Sequence, residues 1–234
     1  AVTMTAYIAF LSSPRLRQNG ETLIANIEGR AEASQAPLLN AIMVDFTDEV
    51  LKTFFLDVVD LLKLSPFMSR VVHGAVSTIK STVHSVSRSI ISKLDNKQLA
   101  PMAGYMGSLM LDAPDAHGHS AHHVGFPVSA ATYERLHTVI ARMREGDTAG
   151  QVPALVAVLN EVTDLALEAY FTTPVELLKL GFLLRKMADG GISVIRGAVH
   201  MVIKRLVPDL SHDQLLEVAE YMDSLILRSA HPYR

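Results

Sequence analysis

The chain is written twice. With the sequence shifted by 116 positions, residues 10–111 lie over residues 126–227 without a gap, and about one pair in three is identical. The identities run from Phe10/Phe126 through His84/His200 to Leu111/Leu227. A repeat of this length has to be recognised before any fold is assigned, because each copy repeats one structural unit. Two similar halves in one chain tend to pack about a pseudo-twofold axis, as identical subunits do about a true one. Residues that both copies keep can then meet near that axis.

The expected organisation is a first helical repeat over 1–111, a connector rich in His, Ala and Gly over 112–125, and a second helical repeat over 126–234. One pseudo-symmetric domain is expected rather than two independent ones. Of the 234 residues, 49% are apolar and 19% charged, which suits a thick core with half-on-half burial. The richest apolar stretches, Leu38–Val44 and Val152–Leu159, fall short of the roughly 18–20 residues that span a bilayer. A net charge of −3 gives no reason to expect nucleic-acid binding. With no cysteine and no basic segment opening the N-terminal stretch Ala1–Leu11, the expected location is cytoplasmic.

Within each copy the apolar spacing is helical, and no persuasive strand alternation stands out. Ser13 and Ser129 read as N-caps of a first helix that runs to about Gly29 or Gly146. A second helix starts at Pro37/Pro153. Its apolar face carries Leu39, Ile42 and Phe46 in one copy and Leu155, Val158 and Val162 in the other. A break is expected next, sharpest at Thr173-Pro174, before a short third segment holding the shared Leu-Leu-Lys-Leu at 61–64 and 177–180. The fourth helix carries Val72, Val76, Ile79, Val83, Val86 and Ile90 at four-three spacing, a coiled-coil-like seam. The fifth opens with capping boxes, Asp95-x-x-Gln98 and Ser211-x-x-Gln214. The reading is all-α, with about five helices per copy.

The sharpest candidate site is a stripe on the fourth helix. Ser77, Lys80, His84 and Arg88 fall along one flank, matched by Ser193, Arg196, His200 and Lys204. Paired across the axis, they would wall a basic groove suited to a carboxylate, a phosphate or an acidic helix. The plainer reading is a solvated flank tied to Asp48 and Asp164 on the second helices. His84 and His200 have the alternative of bonding to those acids or to Tyr105 and Tyr221.

In the connector, His117, His119, His122 and His123 have the residue type of zinc or nickel ligands. A Gly/Ala/Ser-rich segment without cysteine holds ligands poorly, so a spacer is the expected role and no cofactor is expected. Glu134 and His137 form one Glu-x-x-His, but copy one has Gln18 and Glu21 there, which rules out a duplicated di-iron set. No Gly-x-Ser-x-Gly elbow, phosphate-cradling loop or dinucleotide fingerprint occurs. The leading expectation is a non-enzymatic protein that holds a partner helix or subunit in a groove between the halves. The first alternative is a carrier or sensor of an anionic amphiphile whose head group sits on the paired stripes, with peripheral membrane contact as a further possibility. The second is an acid–base enzyme using His84 or His200 with Asp48 or Asp164.

Overall fold

A computed structural model describes residues 5–234; residues 1–4 of the first repeat and of the Ala1–Leu11 stretch lie outside it. The first copy is β1 (Ala6–Leu11), α1 (Pro14–Glu28), α2 (Ala36–Leu51), α3 (Asp57–Leu62), α4 (Pro66–Ile91), α5 (Asn96–Leu109) and β2 (Met110–Pro114). The second is β3 (Ser120–Val128), α6 (Ala130–Arg144), α7 (Val152–Leu167), α8 (Thr173–Leu177), α9 (Phe182–Leu206), α10 (His212–Ser224) and β4 (Ile226–Leu227). A last strand, β5 (His231–Pro232), comes at the end.

The all-α expectation is therefore corrected. The protein is mostly helical but carries a five-stranded antiparallel sheet in the order β4-β1-β3-β2-β5, an α+β fold. Residues 112–125, read as a connector, supply most of the β2–β3 hairpin. Its turn is closed by Asp115, whose Oδ1 accepts the His117 and His119 backbone N–H groups. Gly118 supplies the positive φ of 78° that the turn needs. The strands escaped the sequence reading because β1 is apolar almost throughout and β3 mixes histidines with Gly125 and Pro127. Alternation survives only in burial: Ala6, Ile8 and Phe10 join the main core together with Val124, Phe126 and Val128.

The sheet contains the symmetry axis. β1 pairs with β3 so that Ala9 faces Gly125, flanked by Ile8 opposite Phe126 and Phe10 opposite Val124. The 116-residue shift carries Ala9 onto Gly125, Ile8 onto Val124 and Phe10 onto Phe126, so the pairing maps onto itself. A Cβ on Gly125 would stand 2.5 Å from that of Ala9 and 2.6 Å from the Ile8 carbonyl oxygen, so only glycine fits at the axis. The closing strands are exchanged. β2 of copy one pairs with the opening strand of copy two through Leu111 and His123. β4 of copy two pairs with the opening strand of copy one at the equivalent positions, Leu227 and Tyr7.

The axis leaves the molecule between α4 and α9. These antiparallel helices meet with Val72 against Val202 and Leu206, Ile79 against Ile195, and Gly191 against Val86. Ser65 caps α4, its hydroxyl accepting the Met68 N–H, and Pro66 takes the first helical position. Gly190 and Gly191 lie inside an unbroken α9. The break expected after α2 and α7 is also absent. Each of these helices runs on through a π-helical turn, Lys52–Leu56 and Glu168–Thr172, into α3 and α8. Beyond each, the chain turns at the lysine of Leu-Leu-Lys-Leu, Lys63 as the C-cap of α3 and Lys179 one residue past the C-cap of α8, with φ of 48° and 49°.

Candidate functional site

The π-turns set up the interior. An extra residue in a helical turn rotates the downstream side chains and leaves a backbone carbonyl without its helical partner. In copy one the Thr53 carbonyl accepts the Tyr221 hydroxyl at 2.6 Å, and in copy two the Ala169 carbonyl accepts the Tyr105 hydroxyl at 2.5 Å. Each tyrosine belongs to the opposite half, so these bonds stitch the copies together. Burial, with the charge of Asp57, pushes the Tyr221 phenol up to about 12. Burial also raises Tyr105, with a smaller contribution from Glu168 and against a hydrogen bond to Thr173. Both therefore stay protonated donors across the ordinary pH range.

The same turns place Phe54 and Phe55, and Tyr170 and Phe171, around a cavity of about 250 Å³ between the halves. Its walls are apolar, from the sheet at Ile8 and Phe126 to the inner faces of α4 and α9 at Ile79 and Ile195. The lining reaches the surface at Leu61, which is 40% exposed. A smaller cavity of about 90 Å³ lies in copy one, and the two share Phe46 and Tyr170 as a common wall. These rings meet edge to face at 4.9 Å. Phe126 packs on the other side of Tyr170 at 5.5 Å.

The smaller cavity has a methionine floor, Met43, Met102, Met106 and Met110, beside Ser12, Arg17 and His123. Arg17 is only 6% exposed. Its Nε donates to Glu21 at 2.7 Å, one Nη donates to Asp112 at 3.3 Å, and the guanidinium lies 4.9 Å from the Tyr233 ring centre. The other, Nη1, is buried without a partner, as is the hydroxyl of Tyr170, itself 8% exposed. Burial pushes the His123 imidazole below its usual value, against the Ala121 carbonyl and the charges of Asp112 and Asp115. Burial opposes ionisation of Asp112, but its hydrogen bond with His122 and the charge of Arg17 prevail, holding it below the usual carboxylate range.

The stripes read from the sequence lie elsewhere. Lys80 contacts Asp48 at 2.9 Å and Arg196 contacts Asp164 at 3.2 Å, so both cations are tied to the second helices. Ser77, Arg88, Ser193 and Lys204 are exposed. His200 Nε2 is 3.2 Å from Asp164 Oδ1 but off the hydrogen-bonding line, and His84 Nε2 is buried without a partner. None of the eight lines either cavity. The basic groove is thus not formed at the interior.

The connector histidines are dispersed by the hairpin. His117 and His119 flank the turn with ring centres 6.5 Å apart. His122 bonds to Asp112 at 2.6 Å on the exposed side, while buried His123 meets the Ala121 carbonyl at 3.1 Å. Among the described residues no three His, Asp or Glu side chains gather as a metal site.

The site residues missed by sequence reasoning are Arg17, Phe46, His123 (as a cavity residue) and Tyr170. One signal was present. Arg17 stands three before Gly20 and seven before Ile24, on the buried face of α1, where an arginine is out of place.

On α9, Leu183, Met187 and Val194 are exposed, the first to 78%, as is Phe67 of α4, which the repeat aligns with Leu183. No helix of the described residues is long and apolar enough to cross a membrane. No family model matches the chain, and no match is found among curated proteins or solved structures.

Proposed function

We propose that this protein binds a small apolar molecule in the cavity between its halves, as a carrier or sensor. The observation that supports this is the cavity of about 250 Å³ with hydrocarbon and aromatic walls. A dry apolar cavity of about 150 Å³ accommodates benzene. By the same ratio this one holds about ten carbon atoms. Because Lys80, Arg196 and the rest of the stripes stand outside it, the body of the ligand is apolar.

The test is calorimetric titration with n-octane, read alongside the rise in melting temperature that ligand binding to the native state produces. Val162→Phe places at the cavity wall the ring that copy one has at Phe46. It is expected to weaken octane binding at least tenfold in a folded protein. Failure of the unsubstituted protein to bind octane or any hydrocarbon of this size overturns the proposal.

A second reading, an interaction protein, is favoured by the exposed stripe of α9. Leu183, Met187 and Val194, with Gly190 between the last two and Gly197 after them, keep four-three spacing. The neighbouring α4 carries Arg70, Lys80 and Arg88 and no acidic residue. An acidic amphipathic helix suits such a face. Amide-exchange protection of α4 and α9 on adding such a peptide supports this reading, and no protection there removes it.

A further inference from the structure

We infer that the smaller cavity is a polar-head subsite, reading a neutral hydrogen-bond-accepting oxygen on the apolar ligand through Arg17 and Tyr170. The inference rests on the proposed cavity function and adds to it the chemical class of the ligand.

Five buried side-chain polar atoms among the described residues have no partner, and two of them, Arg17 Nη1 and Tyr170 Oη, belong to residues lining this one small space. Leaving a buried donor unpaired is costly, and more so when it carries charge. Arg17 Nη1 can only donate and the Tyr170 hydroxyl can donate as well as accept, so an acceptor satisfies both. His123, kept neutral by burial, donates its Nδ1 hydrogen to the Ala121 carbonyl, which leaves Nε2 as an acceptor that a ligand hydroxyl could use.

Charge decides which acceptor. The positive charge of Arg17 is already opposed by Glu21 at 2.7 Å and Asp112 at 3.3 Å. A ligand carboxylate would be a third negative group around one guanidinium. A ketone, aldehyde, ester or alcohol oxygen accepts from Nη1 without that repulsion. The Tyr233 ring lies against Arg17 and covers it on another side.

The neighbouring cavity supplies room for the rest of the molecule. Phe46 and Tyr170 line both spaces, and their rings, in edge contact at 4.9 Å, form the partition between them, so a chain whose oxygen sits by Arg17 enters the larger space as these rings part. The methionine floor is soft enough to adapt to different head groups. Copy two has no such subsite: the repeat places Tyr133 at the position of Arg17 and Leu136 at that of Gly20. The ligand therefore has one orientation despite the symmetry of the frame.

The experiment is a comparison of octane, octan-2-one and octanoate by titration calorimetry at neutral pH. A hydrogen bond to a charged donor favours the ketone over octane by at least about tenfold, and octanoate is expected to bind no better than the ketone. Arg17→Lys keeps the charge but loses the forked donor, and Tyr170→Phe removes only the hydroxyl. Each is expected to bring the ratio of ketone to octane affinity toward one. Equal binding of octane and octan-2-one, or a ketone preference that survives in folded Tyr170→Phe and Arg17→Lys proteins, overturns the inference and leaves the cavity function standing. Octanoate as the tightest ligand also overturns it. If none of the three binds, both fall together.

Discussion

The two halves share a frame and differ in what fills it. In copy one, Phe46 closes the interior and Gly20 lets Met110 pack close, its Cε and Sδ 3.1 Å from where an added Cβ would stand. In copy two, Val162 replaces the phenylalanine and Leu136 the glycine, and both line the larger cavity. Copy one thus holds a small, polar-edged space and copy two faces a large oily one. Duplication fixed the positions of the walls, and divergence at a few volumes and one charge made a symmetric container into a directional one.

The most severe way to break the comparison is to remove its centre. Gly125→Ala forces a methyl against Ala9 and the Ile8 carbonyl. It is expected to cost about 3 kcal/mol by denaturant unfolding, the upper end of overpacking effects. Unchanged stability would mean the sheet is not held so tightly at the axis. Next, Phe46→Val makes copy one resemble copy two. It should cost about 2 kcal/mol through lost packing, join the two cavities and raise capacity for larger hydrocarbons. Calorimetry with longer alkanes reads the second effect independently of the first.

The tyrosine pair tests equivalence instead. Tyr105→Phe and Tyr221→Phe each orphan one π-turn carbonyl, and each is expected to cost about 1–2 kcal/mol, with closely similar values. A large inequality would show that the halves are not bound to each other symmetrically. Smaller still, Lys63→Gly and Lys179→Gly relieve left-handed backbone at both helix ends. Each should stabilise by about 0.5 kcal/mol, the relief being partly offset by the greater freedom of glycine in the unfolded chain.

The weakest effect belongs to His123, which the repeat aligns with the non-histidine Tyr7. Its folded pKa is depressed by burial, so the unfolded chain takes up the proton first as pH falls. The stability contributed by the neutral ring is complete above about pH 6.5 and is lost as pH falls toward the folded value. Melting temperature measured from pH 7 to 5 should fall less steeply in His123→Asn than in the unsubstituted protein.

The helices were legible because four-three spacing, serine N-caps and capping boxes are local signals. The Asp95/Gln98 and Ser211/Gln214 boxes both form as spaced. The strands were not, because a short strand with few polar residues lacks a period, and because β4 has only two residues. Nor could spacing reveal the π-turns. Their cost is met by Tyr105 and Tyr221, more than fifty residues away in sequence. For the stripe, helical periodicity aligned Lys80 with His84 and left two readings, a basic groove or a flank tied to Asp48 and Asp164; spacing within one helix cannot choose between them, and the contacts of Lys80 with Asp48 and Arg196 with Asp164 are those of the second. The cavities come from differences between aligned positions, whereas a repeat advertises what its copies share.

The exchanged closing strands also bear on how the protein is made. As the chain leaves the ribosome, β1 waits for β3, and its other edge stays bare until Ile226 and Leu227 emerge at the close of the second copy. Neither half can finish its own border alone. Synthesis must run through both copies before the first strand is covered on both sides.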